Sequence, residues 1–133
     1  MKQILFVLGC AIMMMACEEK KGISQEGAYA LLQESRMALE KGDYVAAKAC
    51  IDSMRAKFPT ALNAREDGII LLDSINIAES KVELQVMEDE IQKIVNPDRF
   101  VKDSIDIAHD EAIQKVKFFE RKLQHDIKNK AKH

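Results

Sequence analysis

The sequence is poor in the residues that interrupt helices. Its 133 residues include two prolines, five glycines and no tryptophan, and aromatic side chains make up 5% of the chain. No glycine or proline lies between Gly68 and Pro97. The long uninterrupted segments are rich in Ala, Leu, Glu, Lys and Gln, which are strong helix formers. The composition therefore predicts an all-α fold.

Cysteine and net charge exclude two further classes of protein. Of the three cysteines, Cys10 and Cys17 lie close to the N-terminus, which leaves Cys50 without a partner in the rest of the chain. A disulfide scaffold is therefore excluded. The formal net charge is −2. This near balance gives no basic footprint for nucleic acid, so we expect no nucleic-acid partner.

The first sixteen residues have the pattern of a secretory leader. Lys2 is followed by a nearly continuous apolar run over residues 4–15, and polarity changes abruptly at Glu18-Glu19-Lys20-Lys21. The run is shorter than the roughly 20 residues that a membrane-spanning helix needs. Residues 1–16 are therefore predicted to be a signal peptide.

The end of this leader resembles the lipobox of bacterial lipoproteins, on the residues Met14-Met15-Ala16-Cys17. The resemblance implies that Cys17 is the lipid-attachment residue, carrying diacylglycerol on its sulfur, and that cleavage occurs before it. Leu8-Gly9-Cys10 is similar, but too few apolar residues precede it for a leader. A plain signal peptide with an incidental cysteine is the alternative.

The residues after Cys17 bear on location. Residues 17–23 read as a short charged tether that begins Glu18-Glu19. The residue after Cys17 is Glu18 and not the aspartate that signals retention in the inner membrane, so the resemblance implies the outer membrane. The acidic pair is also similar to the export signal of surface lipoproteins in Bacteroidota. The periplasmic and the cell-surface side both stay open.

Residues 24–59 are predicted to form a short helical hairpin. Ser24 can cap a first helix, Gly42 can end it, and Asp43 can cap a second helix that Pro59 stops. Apolar and small residues recur at steps of three and four in both helices. The expected buried stripes are Ala28, Leu31, Ser35, Ala38 and Leu39 in the first helix, and Ala47, Ile51, Met54 and Phe58 in the second.

This hairpin resembles a tetratricopeptide repeat. The resemblance rests on Gly42-Asp43-Tyr44, Ala47, Ile51 and Phe58-Pro59, which match the second half of that repeat. It implies that the small Ala47 lets the two helices approach closely. A generic amphipathic hairpin is the alternative. The repeat does not recur, and a single unit cannot bury its own faces, because such units need about three neighbours. The rest of the chain must therefore cover it.

Residues 60–133 are predicted to form a long antiparallel coiled-coil hairpin, packed on the short one or extending from it. The first helix is expected to run from Thr60 or Ala61 to about Val95. The second is expected to be capped by Asn96 and to run to about Lys130. Apolar stripes match along both arms, namely Ile70, Ile77, Leu84 and Ile91 against Val101, Ile105, Ala108, Ala112, Val116, Phe119, Leu123 and Ile127.

Folding the chain back at the expected turn pairs Ile77 with Val116 and Ile70 with Leu123. Pairing of the same stripes between two chains is the alternative, and the outer faces of a hairpin can also support a homodimer. Phe118 lies outside the stripe and is the better candidate for a further contact, for example against the short hairpin.

No residue pattern points to catalysis. His109, His125 and His133 have no metal-ligand spacing, and the sequence contains no phosphate-binding loop, nucleophile motif or Cys-x-x-Cys. Cys50 is expected to act as a small apolar residue. We therefore expect no catalytic residues, metal or cofactor.

Small Bacteroidota lipoproteins with a repeat-like hairpin and a coiled-coil tail are similar overall. The expected function is a non-enzymatic, membrane-anchored interaction or scaffolding module that binds an unidentified envelope protein. The alternative is a structural or self-associating envelope or stress lipoprotein whose helical rod is itself the functional element.

Overall fold

The computed structural model describes residues 24–132, and these residues form helices without any strand. Helix α1 covers residues 24–40, α2 covers Tyr44–Lys57, α3 covers Leu62–Gln92 and α4 covers Arg99–Lys130. The predicted all-α class is thus confirmed. Within this part of the chain, no helix is both long enough and apolar enough to cross a membrane.

The turn between α1 and α2 has the chemistry that the sequence predicts. Gly42 adopts a left-handed φ of 73°. Its amide donates to the Leu39 carbonyl at 2.9 Å, and the next amide donates to the Ala38 carbonyl at 2.9 Å. The Asp43 side chain then accepts from the Ala46 amide at 2.9 Å and caps α2. These local bonds close the two helices into a hairpin.

The hydrophobic core lies where this hairpin meets the first half of α3. Its buried members are Ala28, Leu32, Ala47, Ile51, Met54, Ala61, Ala64, Leu71 and Ile75. The stripe expected in α2 is confirmed for Ala47, Ile51 and Met54, which are fully buried, while Phe58 is half-buried. In α1 the sequence reading missed Leu32, one of the largest fully buried side chains.

The close approach of α1 and α2 is visible at one polar contact. The Ser35 hydroxyl donates to the Ala47 carbonyl at 2.8 Å, and both residues are fully buried. A larger side chain at either position would separate the helices. The hydrogen bond also satisfies a hydroxyl that would otherwise be costly to bury.

Helix α3 is the central element of the fold. Ala64, Gly68, Leu71 and Ile75 on one side belong to or adjoin the core. Its other side contacts α4, which runs antiparallel to it. Polar contacts between the two helices run from Asp67 with Lys130 at one end to Glu88 with His109 at the other. The distal halves of α3 and α4 extend beyond the core. We call this extension, residues 78–115, the arm.

The connection between α3 and α4 differs from the prediction. Helix α3 ends at Gln92 rather than near Val95. The cap of α4 is Asp98, whose side chain accepts from the Val101 amide at 2.9 Å, and not Asn96. Asn96 instead has a left-handed φ of 53°. Both residues suit their positions, because aspartate is a strong N-cap and asparagine tolerates left-handed backbone.

The register of the two long helices also differs from the expected one. Pairing Ile77 with Val116 would set Glu83 beside Asp110, whereas Glu83 pairs with Lys115, more than one helical turn farther along α4. Opposite charges thus replace a like-charge pair. The first residues of α4 extend past the end of α3, since Gln92 lies beside Ile105 and Asp106.

Candidate interaction surfaces

Cys17 is the predicted lipid-attachment residue. It lies outside the described residues, as do the predicted leader over residues 1–16 and the tether over residues 17–23. The surfaces described below all belong to residues 24–132.

The free end of the arm carries four exposed apolar side chains. Ile94 and Val95 follow α3 and are 43% and 81% exposed, and Phe100 and Val101 begin α4 and are 82% and 40% exposed. We call these four residues the tip surface. Large apolar side chains exposed together, rather than singly, are typical of a surface that binds another molecule.

The arm that carries the tip surface has a net negative charge, although three of its basic residues, Lys93, Arg99 and Lys102, lie beside the tip. Residues 83–111 contain nine acidic and three basic side chains. Of the three basic ones, Lys93 is already paired with Glu90 at 2.6 Å. Anionic lipid headgroups attract basic segments and repel acidic ones. The net negative charge of the arm therefore disfavours an anionic phospholipid surface as the partner of the tip surface.

A second exposed apolar pair lies on the side of α4 that faces away from α3. Ile107 is 62% exposed and Phe118 is 54% exposed. The Phe118 ring packs edge-on against Phe119, with centroids 5.2 Å apart and an interplanar angle of 70°. Phe119 itself is half-buried in the predicted stripe. The contact with Phe119 therefore restrains the Phe118 ring, while more than half of Phe118 stays exposed.

The interface between α3 and α4 contains a buried carboxylate. The Asp73 side chain is 1% exposed, and Lys122 Nζ donates to its two oxygens at 2.7 and 2.9 Å. Lys122 also donates to Asp126 at 2.8 Å. Burial raises the pKa of Asp73 despite this lysine. Hydrogen bonding, first from Lys122 and then from His125, lowers the pKa of Asp126 to about 2.

A second polar cluster joins three helices. The Tyr29 hydroxyl of α1 donates to Asp67 of α3 at 2.9 Å, and Lys130 of α4 donates to the same carboxylate. Burial opposes ionisation of Asp67, but these two hydrogen bonds outweigh it and lower the pKa of this carboxyl. The hydrogen bond to Asp67 in turn raises the pKa of Tyr29. Both clusters fix the C-terminal half of α4 on the core.

The histidines and Cys50 form no candidate metal centre. His109 Nε2 lies 3.2 Å from a Glu88 oxygen, and His125 Nδ1 lies 2.9 Å from an Asp126 oxygen. Cys50 is a free, half-buried thiol. Across residues 24–132, no group of three or more His, Cys, Asp or Glu side chains is placed to hold a metal ion. His133 lies outside the described residues.

A shallow groove runs between α3 and α4. It is lined by Ile77, Lys81, Lys117, Glu120, Arg121, Leu123 and Gln124. Lys81 and Glu120 are already joined by an ion pair of 2.8 Å across it. Their charges therefore stabilise the packing of the two helices.

Sequence reasoning did not find the tip surface or the Asp73 cluster, although a signal for each is present. Apolar pairs flank the turn on both sides, as Ile94-Val95 and Phe100-Val101. Asp73 lies three residues after Ile70, at a position where a heptad pattern places a core residue. A charged residue there indicates a specific partner on the facing helix.

No protein-family model matches the sequence, and no match is found among curated proteins or solved structures.

Proposed function

We propose that this protein is a non-enzymatic lipoprotein of the cell envelope that binds another envelope protein through the end of its helical arm. The tip surface carries this proposal. Its four apolar side chains are 40% to 82% exposed and flank the turn at the free end of the arm. Such a patch favours an interaction surface.

The fold supports a role in reaching a partner. Ile75 is the last core residue of α3, and the helix continues for 17 residues to Gln92. At 1.5 Å per residue, the arm carries the tip about 25 Å beyond the core. The ion pair of Glu83 with Lys115 and the polar contact of His109 with Glu88 hold the two helices of the arm together over this length.

The partner that fits is a protein with an apolar pocket and basic residues around it. The acidic side chains along the arm, including Asp98 and Asp106, would speed encounter with such a partner and select against acidic ones. Apolar contact at the tip would supply most of the affinity, with Phe100 as the central residue.

The membrane anchor in this proposal is Cys17. Lipid on this cysteine, followed by the charged tether of residues 17–23, would hold the described helices beside the outer membrane. A diacylated cysteine supplies the two acyl chains that stable anchoring requires. The arm would then search for its partner in two dimensions, which raises the effective concentration of both proteins.

Affinity capture of the tagged full-length protein from crosslinked cell envelopes tests the proposal. We expect one stoichiometric envelope protein to copurify, and we expect the double substitution Val95→Ser and Phe100→Ser to reduce its recovery at least about tenfold. Val45→Ser is the matched control, because Val45 on α2 is 80% exposed and Val95 is 81% exposed. Equal loss in the control, or no loss with the double substitution, contradicts the proposal.

A further inference from the structure

We infer that the outer face of α4 is a homodimer interface, in which two copies pair antiparallel with Ile107 of each copy against Phe118 of the other. This interface does not involve the tip surface. It therefore stands or falls independently of the proposed binding of an envelope protein.

The two apolar residues lie on one line along the helix. They are separated by eleven residues, which is close to three full turns at 3.6 residues per turn. They are more than half exposed, at 62% for Ile107 and 54% for Phe118. Between them the same line carries the polar residues Glu111 and Gln114. Both apolar side chains can be buried together only against a facing helix that presents apolar residues at the same spacing.

A second copy of α4 meets this requirement in the antiparallel direction. With Ile107 of one copy opposite Phe118 of the other, a two-fold axis passes between residues 112 and 113. The symmetry then creates the reciprocal contact of Phe118 with Ile107. In a parallel pair each residue would face its own copy instead, with Phe118 against Phe118.

Charge selects between these two directions. The face is acidic towards the start of α4, at Asp103 and Asp110, and basic towards its end, at Lys117 and Arg121. Residues 115–132 as a whole contain seven basic and two acidic side chains. A parallel pair would set like charges beside one another, whereas an antiparallel pair sets opposite charges together.

The register defined by the apolar contacts also aligns these charges. When Ile107 lies opposite Phe118, Asp103 lies within one residue of the level of Arg121 of the second copy, and Asp110 lies within two residues of the level of Lys117. Each pair occurs twice by symmetry. Among residues 24–132, these four side chains take part in no ion pair. They are therefore available to a second copy without breaking a contact within the chain.

Photocrosslinking of the full-length protein in its own cells tests this interface. The crosslinking amino acid p-benzoylphenylalanine replaces Phe118, and we expect a product of twice the mass of the processed monomer. Trypsin would then join peptide 118–121 of one copy to peptide 103–115, which contains Ile107. Within one chain the two residues are about 16 Å apart along the helix axis, beyond the reach of the probe.

Val86 is the matched position for the control, since it is 55% exposed but lies on α3. The probe at Val86 should give no dimer. A Phe118 crosslink to peptide 118–121 of the second copy would establish a parallel pair and overturn the inference. A crosslink only to another protein, or only to residues 1–23 of the same chain, would also overturn it.

Charge exchange supplies an independent test of register. Asp103→Arg and Arg121→Asp should each lower the crosslinked fraction at least about fivefold, because each places like charges together twice. Combining the two substitutions should restore the crosslink, since the pairs re-form with reversed polarity. Failure of this rescue in protein with unchanged helical circular dichroism rejects the register. Capture of an envelope protein by the tip should be unchanged in the Arg121→Asp variant, because Arg121 lies outside the acidic residues of the arm, and this separates the inference from the proposed function.

Discussion

The carboxylate of Asp73 and the ammonium of Lys122 form an ion pair of 2.7 Å in which only the lysine side chain is partly exposed. The side chain of Asp73 is 1% exposed and that of Lys122 is 38% exposed. Removing one partner of such a pair costs more stability than the intact pair contributes, because the buried charge is left without a partner. The pair therefore specifies how α4 packs on α3.

Replacing Lys122 with methionine should lower the free energy of unfolding by about 2 kcal/mol, because a desolvated carboxylate loses its partner. Lys115→Met is the control, since Lys115 pairs with Glu83 on the surface and such pairs contribute less than about 1 kcal/mol. Urea denaturation followed by circular dichroism measures both values. Equal costs for the two variants would show that Asp73 does not depend on Lys122.

Stability should fall in acid as Asp126 is protonated. Its pKa is lowered to about 2 in the folded protein from the ordinary 3.8, so its contribution is present above pH 3.8 and is lost as the pH falls through 2. Asp73 acts in the opposite direction, because its pKa is raised. Urea midpoints at pH 6 and pH 2 should therefore differ more for the wild type than for Asp126→Asn. An identical pH dependence would argue against this role.

Gly42→Ala should destabilise the protein by about 1 kcal/mol, because alanine must adopt the left-handed backbone of the α1–α2 turn. The residue has a φ of 73°, and an added Cβ would meet nothing within 4 Å. The cost is thus conformational rather than steric. Gly42→Asn should cost less, since asparagine tolerates this region better. Thermal unfolding would show a lower Tm for alanine than for asparagine, and the reverse order would contradict the prediction.

Ile51→Ala should lower the free energy of unfolding by about 3 kcal/mol, because Ile51 is fully buried between the short hairpin and α3. Val45→Ala on the same helix is the control. Its side chain is 80% exposed, so we expect a change within about 0.5 kcal/mol. The comparison uses denaturation midpoints at constant pH. A small effect at Ile51 would mean that the core collapses around the missing atoms.

Cys17→Ser should abolish incorporation of radiolabelled palmitate and release the protein from the membrane fraction. The physical reason is that a serine hydroxyl cannot form the thioether through which the proposed diacylglycerol would be attached. Cys50→Ser should leave labelling unchanged, since Cys50 lies in α2 within the folded domain. Continued labelling of the Cys17 variant would contradict the assignment of this residue.

Features that depend only on residues close together in the chain could be predicted from the sequence. Gly42 and Asp43 form the expected turn because left-handed backbone and N-capping are local properties. The stripe of Ala47, Ile51 and Met54 followed from helical periodicity, which assigns side chains to a face without reference to other helices. The all-α class followed in the same way from composition.

Which face of a helix packs against which neighbouring helix depends on the tertiary structure. Leu32 belongs to the core because α3 crosses the hairpin there, and a periodic pattern cannot name the helix that will cover it. The register of α3 and α4 depends on pairs such as Glu83 with Lys115, between residues far apart in sequence. A shift of one turn keeps apolar residues facing each other, so periodicity leaves the alternatives close in energy and long-range ion pairs distinguish them.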